Sequence, residues 1–123
     1  MSEKKKVLIV DDEEDFVTLS AVRVEEAGYE VFTETDGNKV MARVRDIKPD
    51  LVVLDIMLLG SDGLTLLKKL KKEFSDMPVI VVTGKAFMMA EIFVIEGSSG
   101  FFKKPADLKE LVKRINELIG NNH

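Results

Sequence analysis

Five short apolar runs, each followed by a segment long enough for a helix, constrain the fold of this chain more than any other feature. The runs are rich in β-branched residues and nearly continuous in apolar character, as is typical of strands covered on both faces of a sheet. Helical spacing of leucines is clearest between Leu64 and Phe74 and again after Leu108. We predict strands at Lys6–Val10, Glu30–Glu34, Leu51–Leu54, Val79–Val82 and Gly100–Phe102.

This alternation predicts an α/β fold with a (βα)5 arrangement. Short connections between strands and helices favour a doubly wound parallel sheet with right-handed crossovers and helices on both faces. Glycines at positions 28, 37, 63 and 97 fall at the joints, and Asp107 is the expected N-cap of the last helix. We predict a single domain over residues 1–123, with its core within residues 5–119.

Charge and composition exclude several function classes. The net charge is −4, from 22 acidic and 18 basic residues that are interspersed, so direct nucleic-acid binding is not expected. The chain has no cysteine, which excludes disulfides, thiolate zinc sites and cysteine nucleophiles. No apolar stretch approaches the ~20 residues of a membrane span, and none fits a signal peptide. We therefore expect a cytoplasmic protein without membrane insertion.

Chemically active side chains cluster at the predicted strand ends. Asp11 and Asp12 follow the first strand, Asp55 follows the third, Thr83 ends the fourth and Lys104 follows the fifth. Ligands of open parallel sheets bind outside the carboxyl ends of the strands, so these five side chains are expected in one crevice.

Three converging carboxylates repel one another unless a pKa rises or a cation binds. Hard oxygen ligands favour magnesium, manganese or calcium, and a site with few carboxylates suits magnesium best. Asp55 has a hydroxyl and an ammonium from neighbouring strands beside it, an arrangement suited to a phosphoryl group that a carboxylate attacks.

Structural roles compete with these interpretations. Acids after a strand often stabilise a helix N-terminus, and we assign Glu13, Glu14 and Asp15 to that role. Of the adjacent lysines, Lys104 is taken to face the site and Lys103 the solvent, because neighbouring strand residues alternate faces.

Five separated motifs carry a family resemblance. They are VDD at 10–12, LDIM with Asp55, SDG at 61–63, VTG with Thr83, and FFKKP ending in Lys104-Pro105. Together they make the chain resemble a response-regulator receiver domain of the CheY-like type over essentially its whole length. The resemblance implies a flavodoxin-like sheet of order 2-1-3-4-5.

The resemblance also implies residue roles. Asp55 would be the phosphoacceptor, Asp12 a direct magnesium ligand, Asp11 a ligand largely through water, and Met57 a ligand through its backbone carbonyl, with manganese as an alternative ion. The switch residues would be Thr83, Lys104 and Phe101.

The function implied is a phosphorylation switch in a two-component system, not an enzyme, although it would promote its own phosphorylation and dephosphorylation. A histidine kinase or histidine phosphotransfer protein would be the donor. The last helix ends near Ile119, so we expect a stand-alone domain, monomeric or dimerising on phosphorylation. Two alternatives stay open: an interaction module that works without phosphate, and a haloacid-dehalogenase-like phosphatase.

Two departures from the family pattern stand out. Leu59-Gly60 replaces the usual proline loop, which removes a backbone restraint after the phosphoacceptor. The segment between Thr83 and Phe101 is one residue shorter than in the family and unusually apolar, so its helix is either more buried than usual or displays an apolar patch. The resemblance implies that the output surface is the face formed by the fourth helix, fifth strand and fifth helix. Candidate partner contacts there are Phe87, Met88, Met89, Ile92 and Phe93.

Overall fold

The computed structural model of the chain describes residues 4–56, 63–84, 97–104 and 106–120. The strands are β1 (Lys6–Val10), β2 (Glu30–Glu34), β3 (Leu51–Asp55), β4 (Val79–Thr83) and β5 (Gly100–Lys103). The helices are α1 (Glu14–Glu26), α2 (Val40–Ile47), which follows a 3-10 turn at Gly37–Lys39, α3 (Gly63–Glu73) and α4 (Leu108–Ile119).

The strands form one parallel sheet in the order β2-β1-β3-β4-β5, which confirms the predicted fold class and strand order. Strands β3, β4 and β5 each run one residue further than predicted, to Asp55, Thr83 and Lys103. The reason is that the parallel ladder continues: Asp55 pairs in register with Val82, and Thr83 pairs with Lys103. Asp55 is therefore the last residue of its strand and not the first residue after it.

Both faces of the sheet are buried. Leu8 and Val10 of β1 belong to an apolar cluster with α2 and α3, whereas Val7 and Ile9 belong to a second cluster with α1 and α4. This division follows from the period of two along a strand, and burial on both sides explains why the predicted runs are nearly continuous in apolar character.

Local sequence signals explain several joints. Gly28 and Gly97 both have φ of +103°, a conformation that favours glycine. Gly63 begins α3 so close to β3 that a Cβ atom there would overlap the carbonyl oxygen of Ile56. Asp107 caps α4, accepting hydrogen bonds from the backbone N–H groups of the first turn, as predicted.

Some predicted features lie outside the described residues. These are the fourth predicted helix with its candidate partner contacts, the Leu59-Gly60 loop, and Met57. Among the helices that the structure describes, none combines the length and the apolar character needed to cross a bilayer.

Candidate functional site

Three carboxylates meet at the carboxyl edge of the sheet. Asp11 and Asp12 begin the loop after β1, and Asp55 ends β3. One carboxylate oxygen from each lies within 4.8 Å of the others. Asp11 and Asp55 are 0% and 5% exposed, whereas Asp12 is open to solvent. The structure thus brings together the three acids that the sequence predicted to converge.

Sheet register explains this convergence. Val10 of β1 pairs with Leu54 of β3, so the next residues, Asp11 just after β1 and Asp55 at the end of β3, lie at the same level. The loop that follows is held by two hydrogen bonds: the backbone N–H of Asp11 donates to Glu34 O at 3.1 Å, and that of Glu13 donates to Asp11 Oδ1 at 2.8 Å. These bonds orient the Asp11 carboxylate toward the edge.

Lys104 enters the same crevice from the end of β5. Its Nζ lies 2.7 Å from Asp11 Oδ2, 3.1 Å from Glu13 Oε1 and 3.3 Å from Asp55 Oδ2. The ammonium also lies 4.8 Å from the ring centre of Phe16, within the range of a cation–π interaction. The side chain of Lys104 is only 14% exposed, whereas Lys103 is exposed, as the alternation of faces predicted.

Burial and neighbouring charges shift two pKa values in the crevice. Burial raises the pKa of Asp11 from 3.8 to about 6, and the nearby charge of Asp55 adds to this rise, although Lys104 and the Glu13 backbone oppose it. Burial acts to lower the pKa of Lys104, but its close contacts with Asp11 and Glu13 and the charges of Asp55 and Asp11 outweigh burial and raise that pKa. The lysine is therefore a permanent cation, whereas Asp11 is costly to ionise.

The acids fit a divalent metal ion. Within the part of the chain that the structure describes, Asp11 Oδ2 is buried and makes no hydrogen bond, since its contact with Lys104 is an ion pair without hydrogen-bond alignment. A buried carboxylate oxygen without a hydrogen-bond donor is available as a metal ligand. The donors are all hard oxygens, and with only three of them the set suits magnesium, which keeps several waters.

Three other predicted site residues are not placed among these contacts. Thr83 ends β4, the strand beside β3, but its side chain is not described. Met57 lies outside the described residues. Phe101 is half-buried and packs against the apolar cluster on the α2 and α3 side, whereas its neighbour Phe102 packs on the α1 and α4 side. Phe101 therefore lies on the other face of β5 from Phe102.

Sequence reasoning missed two residues that contact Lys104. Glu13 was assigned to the N-terminus of α1, yet its carboxylate makes no capping hydrogen bond there and instead contacts Lys104. Phe16, one turn into the helix, was likewise not expected under Lys104. The acidic run gave a signal that Glu13 lies near the crevice, but no local pattern indicated which basic group it meets.

Comparison with known proteins identifies what this site resembles. The sequence matches the family profile described as "Response regulator receiver domain" over residues 7–116. The "Alkaline phosphatase synthesis transcriptional regulatory protein PhoP" of Bacillus subtilis (strain 168) is 34% identical over 116 residues. That match covers 94% of this chain and 48% of PhoP, so the chain spans about half the length of this curated relative.

Solved structures agree with the match. A response regulator receiver domain protein (CheY-like) from Methanospirillum hungatei JF-1 is 29% identical, with a TM-score of 0.87, over 94% of this chain and 93% of that one. The receiver domain of NtrX from Brucella abortus is 33% identical, with a TM-score of 0.86, over 94% of this chain and 99% of that one. The family match over residues 7–116 includes Asp11, Asp12, Asp55 and Lys104.

Proposed function

Because this chain belongs to the response regulator receiver domain family, we propose that it is a phosphorylation-dependent switch that accepts a phosphoryl group on Asp55 with magnesium bound. The observation that carries the proposal is the meeting of Asp11, Asp12 and Asp55 within 4.8 Å, with the Lys104 ammonium among them. Family membership supports a signalling role over the phosphatase alternative.

Asp55 is the proposed nucleophile. A carboxylate oxygen of Asp55 attacks the phosphorus, an O–P bond forms, and the N–P bond of a donor phosphohistidine breaks with its electron pair returning to the imidazole nitrogen. Asp55 is nearly buried, so its carboxylate has little water to displace before the attack. Lys104, already 3.3 Å from Asp55 Oδ2, pairs with an oxygen of the incoming group.

Asp11, Asp12, Asp55 and the backbone carbonyl of Met57 are the proposed magnesium ligands, with manganese as an alternative ion. The bound ion would neutralise charge on the transferring oxygens. Asp11 would contribute a buried oxygen and Asp12 an exposed one, so the proposed ligands include both buried and solvent-exposed carboxylates.

Phosphorylation would add close to two negative charges beside Lys104. We propose that Thr83, Lys104 and Phe101 respond and bias the output face between two packings. The proposed partner contacts on that face remain the five apolar residues between positions 87 and 93.

The proposed donor is a histidine kinase or a histidine phosphotransfer protein in the cytoplasm, and the recipient of the signal is a protein. PhoP is named as a transcriptional regulatory protein, and its match supports a signalling pathway of this general kind. Light scattering with and without beryllofluoride, an analogue of the phosphoryl group, tests whether phosphorylation drives dimerisation.

A mass measurement tests the proposal directly. The protein is incubated with magnesium and acetyl phosphate, and a phosphoryl adduct is expected on the wild type but not on Asp55→Asn. Asp46→Asn, an exposed acid on α2, is the matched control and should form the adduct normally. Beryllofluoride in place of acetyl phosphate should bind with the same dependence on Asp55.

Two results would contradict the proposal. An adduct of equal yield on Asp55→Asn would place the phosphoryl group elsewhere. No adduct and no beryllofluoride binding by the wild type in magnesium would favour an interaction module that works without phosphate.

A further inference from the structure

We propose that Glu13 is a positioning residue for Lys104: it holds the ammonium at the mouth of the crevice and must release it when Asp55 captures a phosphoryl group. The inference rests on the proposed function and adds a residue to it. Its basis is the 3.1 Å contact between Glu13 Oε1 and Lys104 Nζ.

The contact is part of a closed ring of interactions. Asp11 Oδ1 accepts the backbone N–H of Glu13 at 2.8 Å, and Asp11 Oδ2 lies 2.7 Å from Lys104 Nζ. The carboxylate of Glu13 closes the ring on the same ammonium. Glu13 is therefore tethered at its backbone to one partner of Lys104 while its side chain holds the lysine itself.

A helix-capping role does not account for the side chain of Glu13. The residue occupies the N-cap of α1 with extended backbone, φ −87° and ψ 104°, but makes no side-chain capping hydrogen bond. Glu14, the next residue, starts the helix and carries the acid that the first turn favours. The Glu13 carboxylate is thus directed at the lysine and not at the helix.

The carboxylates that contact Lys104 differ in their exposure to solvent. The side chain of Glu13 is 59% exposed, whereas those of Asp11 and Asp55 are almost completely buried. Glu13 therefore pulls Lys104 toward solvent, and the two buried carboxylates pull it inward. Phe16 lies against the same ammonium and supports it from the helix side.

Phosphoryl capture changes this balance. The phosphoryl oxygens on Asp55 attract Lys104 inward, so the exposed contact with Glu13 must weaken before the lysine is fully engaged. Exposed ion pairs are weak, so release from Glu13 should be worth roughly a 1.4-fold to fivefold change in rate. Removing the Glu13 charge should accelerate phosphorylation by that factor.

The test compares initial rates of Asp55 phosphorylation by acetyl phosphate in saturating magnesium. Glu13→Gln is expected to be about 1.4 to 5 times faster than wild type. Glu14→Gln is the matched control, since it removes the same charge one residue away and has no contact with Lys104 in the described structure. Glu13→Asp keeps the charge but shortens the reach, and it should resemble Glu13→Gln.

A double-mutant cycle separates positioning from general electrostatics. In a Lys104→Met background, replacing Glu13 by glutamine should leave the remaining rate unchanged. Without metal, the NMR signal of the Lys104 ammonium in lysine-labelled protein should differ between the wild type and Glu13→Gln. It should be the same in the wild type and Glu14→Gln.

Equal rates for Glu13→Gln and Glu14→Gln would overturn the inference, as would an effect of Glu13→Gln that persists without Lys104. A wild type that forms no adduct would instead remove the proposed function. The NMR comparison then still decides whether Glu13 holds Lys104, because it needs neither metal nor phosphoryl donor.

Discussion

Lys104 Nζ lies 2.7 Å from Asp11 Oδ2, although β3 and β4 separate their strands in the sheet. The lysine side chain therefore crosses the carboxyl edge and neutralises an acid at the end of β1. It also lies near Asp55, so in the metal-free protein it supplies the positive charge that a divalent ion would otherwise provide.

Replacing Lys104 by methionine should lower stability and strengthen magnesium binding. Removing the ammonium leaves two buried carboxylates without their cation, which we expect to cost about 1 to 3 kcal/mol in the metal-free protein. Magnesium then no longer competes with an internal charge, so its affinity should rise. Urea unfolding with and without magnesium, together with calorimetric titration, measures both effects.

Lys103→Met is the control, because Lys103 is exposed on the neighbouring position of β5. It should leave magnesium affinity unchanged. Weaker magnesium binding by Lys104→Met would mean that the lysine organises the metal ligands more than it competes with the ion.

The pKa of Asp11 predicts how metal-free stability depends on pH. Burial raises this pKa from 3.8 to about 6, so the folded state keeps a proton that the unfolded state loses. The stabilisation from that proton is fully present below about pH 4 and is lost as the pH rises through about 6. The shift corresponds to at most roughly 3 kcal/mol, since each pKa unit is worth about 1.4 kcal/mol. The raised pKa of Lys104 adds no slope here, because that group stays charged in both states.

Asp11→Asn should remove this pH dependence. Relative to wild type, the variant should gain about 1 to 3 kcal/mol in free energy of unfolding between about pH 4 and pH 7.5 without magnesium. Urea unfolding across that range measures the difference. A constant difference at every pH would show that Asp11 ionises as easily in the folded protein as in the unfolded chain.

Gly63→Ala should disrupt the start of α3. The added Cβ would overlap the carbonyl oxygen of Ile56, and backbone cannot move aside as a flexible side chain can. We expect the free energy of unfolding, measured by urea or thermal unfolding, to fall by about 1 to 3 kcal/mol. Gly84→Ala is the matched control, since its Cβ would come no closer than 3.8 Å to Lys104 Cβ. A Gly63→Ala protein as stable as Gly84→Ala would contradict the close approach.

Lys48→Gly should stabilise the protein. Lys48 ends α2 in the left-handed conformation, with φ 55° and ψ 59°, where a side chain is disfavoured and glycine is not. The free energy of unfolding, measured by thermal or urea unfolding, should rise by about 0.5 to 1 kcal/mol. Lys39→Gly is the control: Lys39 has φ −98°, so glycine there only adds freedom to the unfolded chain and should lower the free energy of unfolding. Destabilisation by both substitutions would show that Lys48 has a contact that outweighs its backbone strain.

The fold was predictable because its signals are local and repeated. Continuous apolar runs mark buried strands, and the observed strands begin at the predicted residues. The ends of β3, β4 and β5 were one residue short, because the ladder continues through Asp55, Thr83 and Lys103. Hydrogen bonding to a neighbouring strand, and not the residue type, decides where a strand stops.

The meeting of the acids was predictable for a related reason. Parallel strands present their carboxyl ends at one edge, so residues that follow apolar runs must converge there. Glu13 shows the limit of this reasoning. Its carboxylate meets a lysine 91 residues away, and an acid at a helix start looks the same whether it caps the helix or holds a distant cation.

By itself, the sequence determined the alternation of strands and helices, the two-sided burial of the sheet and the set of oxygen and ammonium groups at its edge, because each depends on residue type and spacing along the chain. Only the tertiary structure decided how those groups divide their contacts. It decided which oxygen of Asp11 accepts a backbone hydrogen bond, which one instead pairs with Lys104, and which of the adjacent acids reaches the lysine. These choices depend on distances of a few ångströms between distant segments, which packing sets and local pattern does not encode.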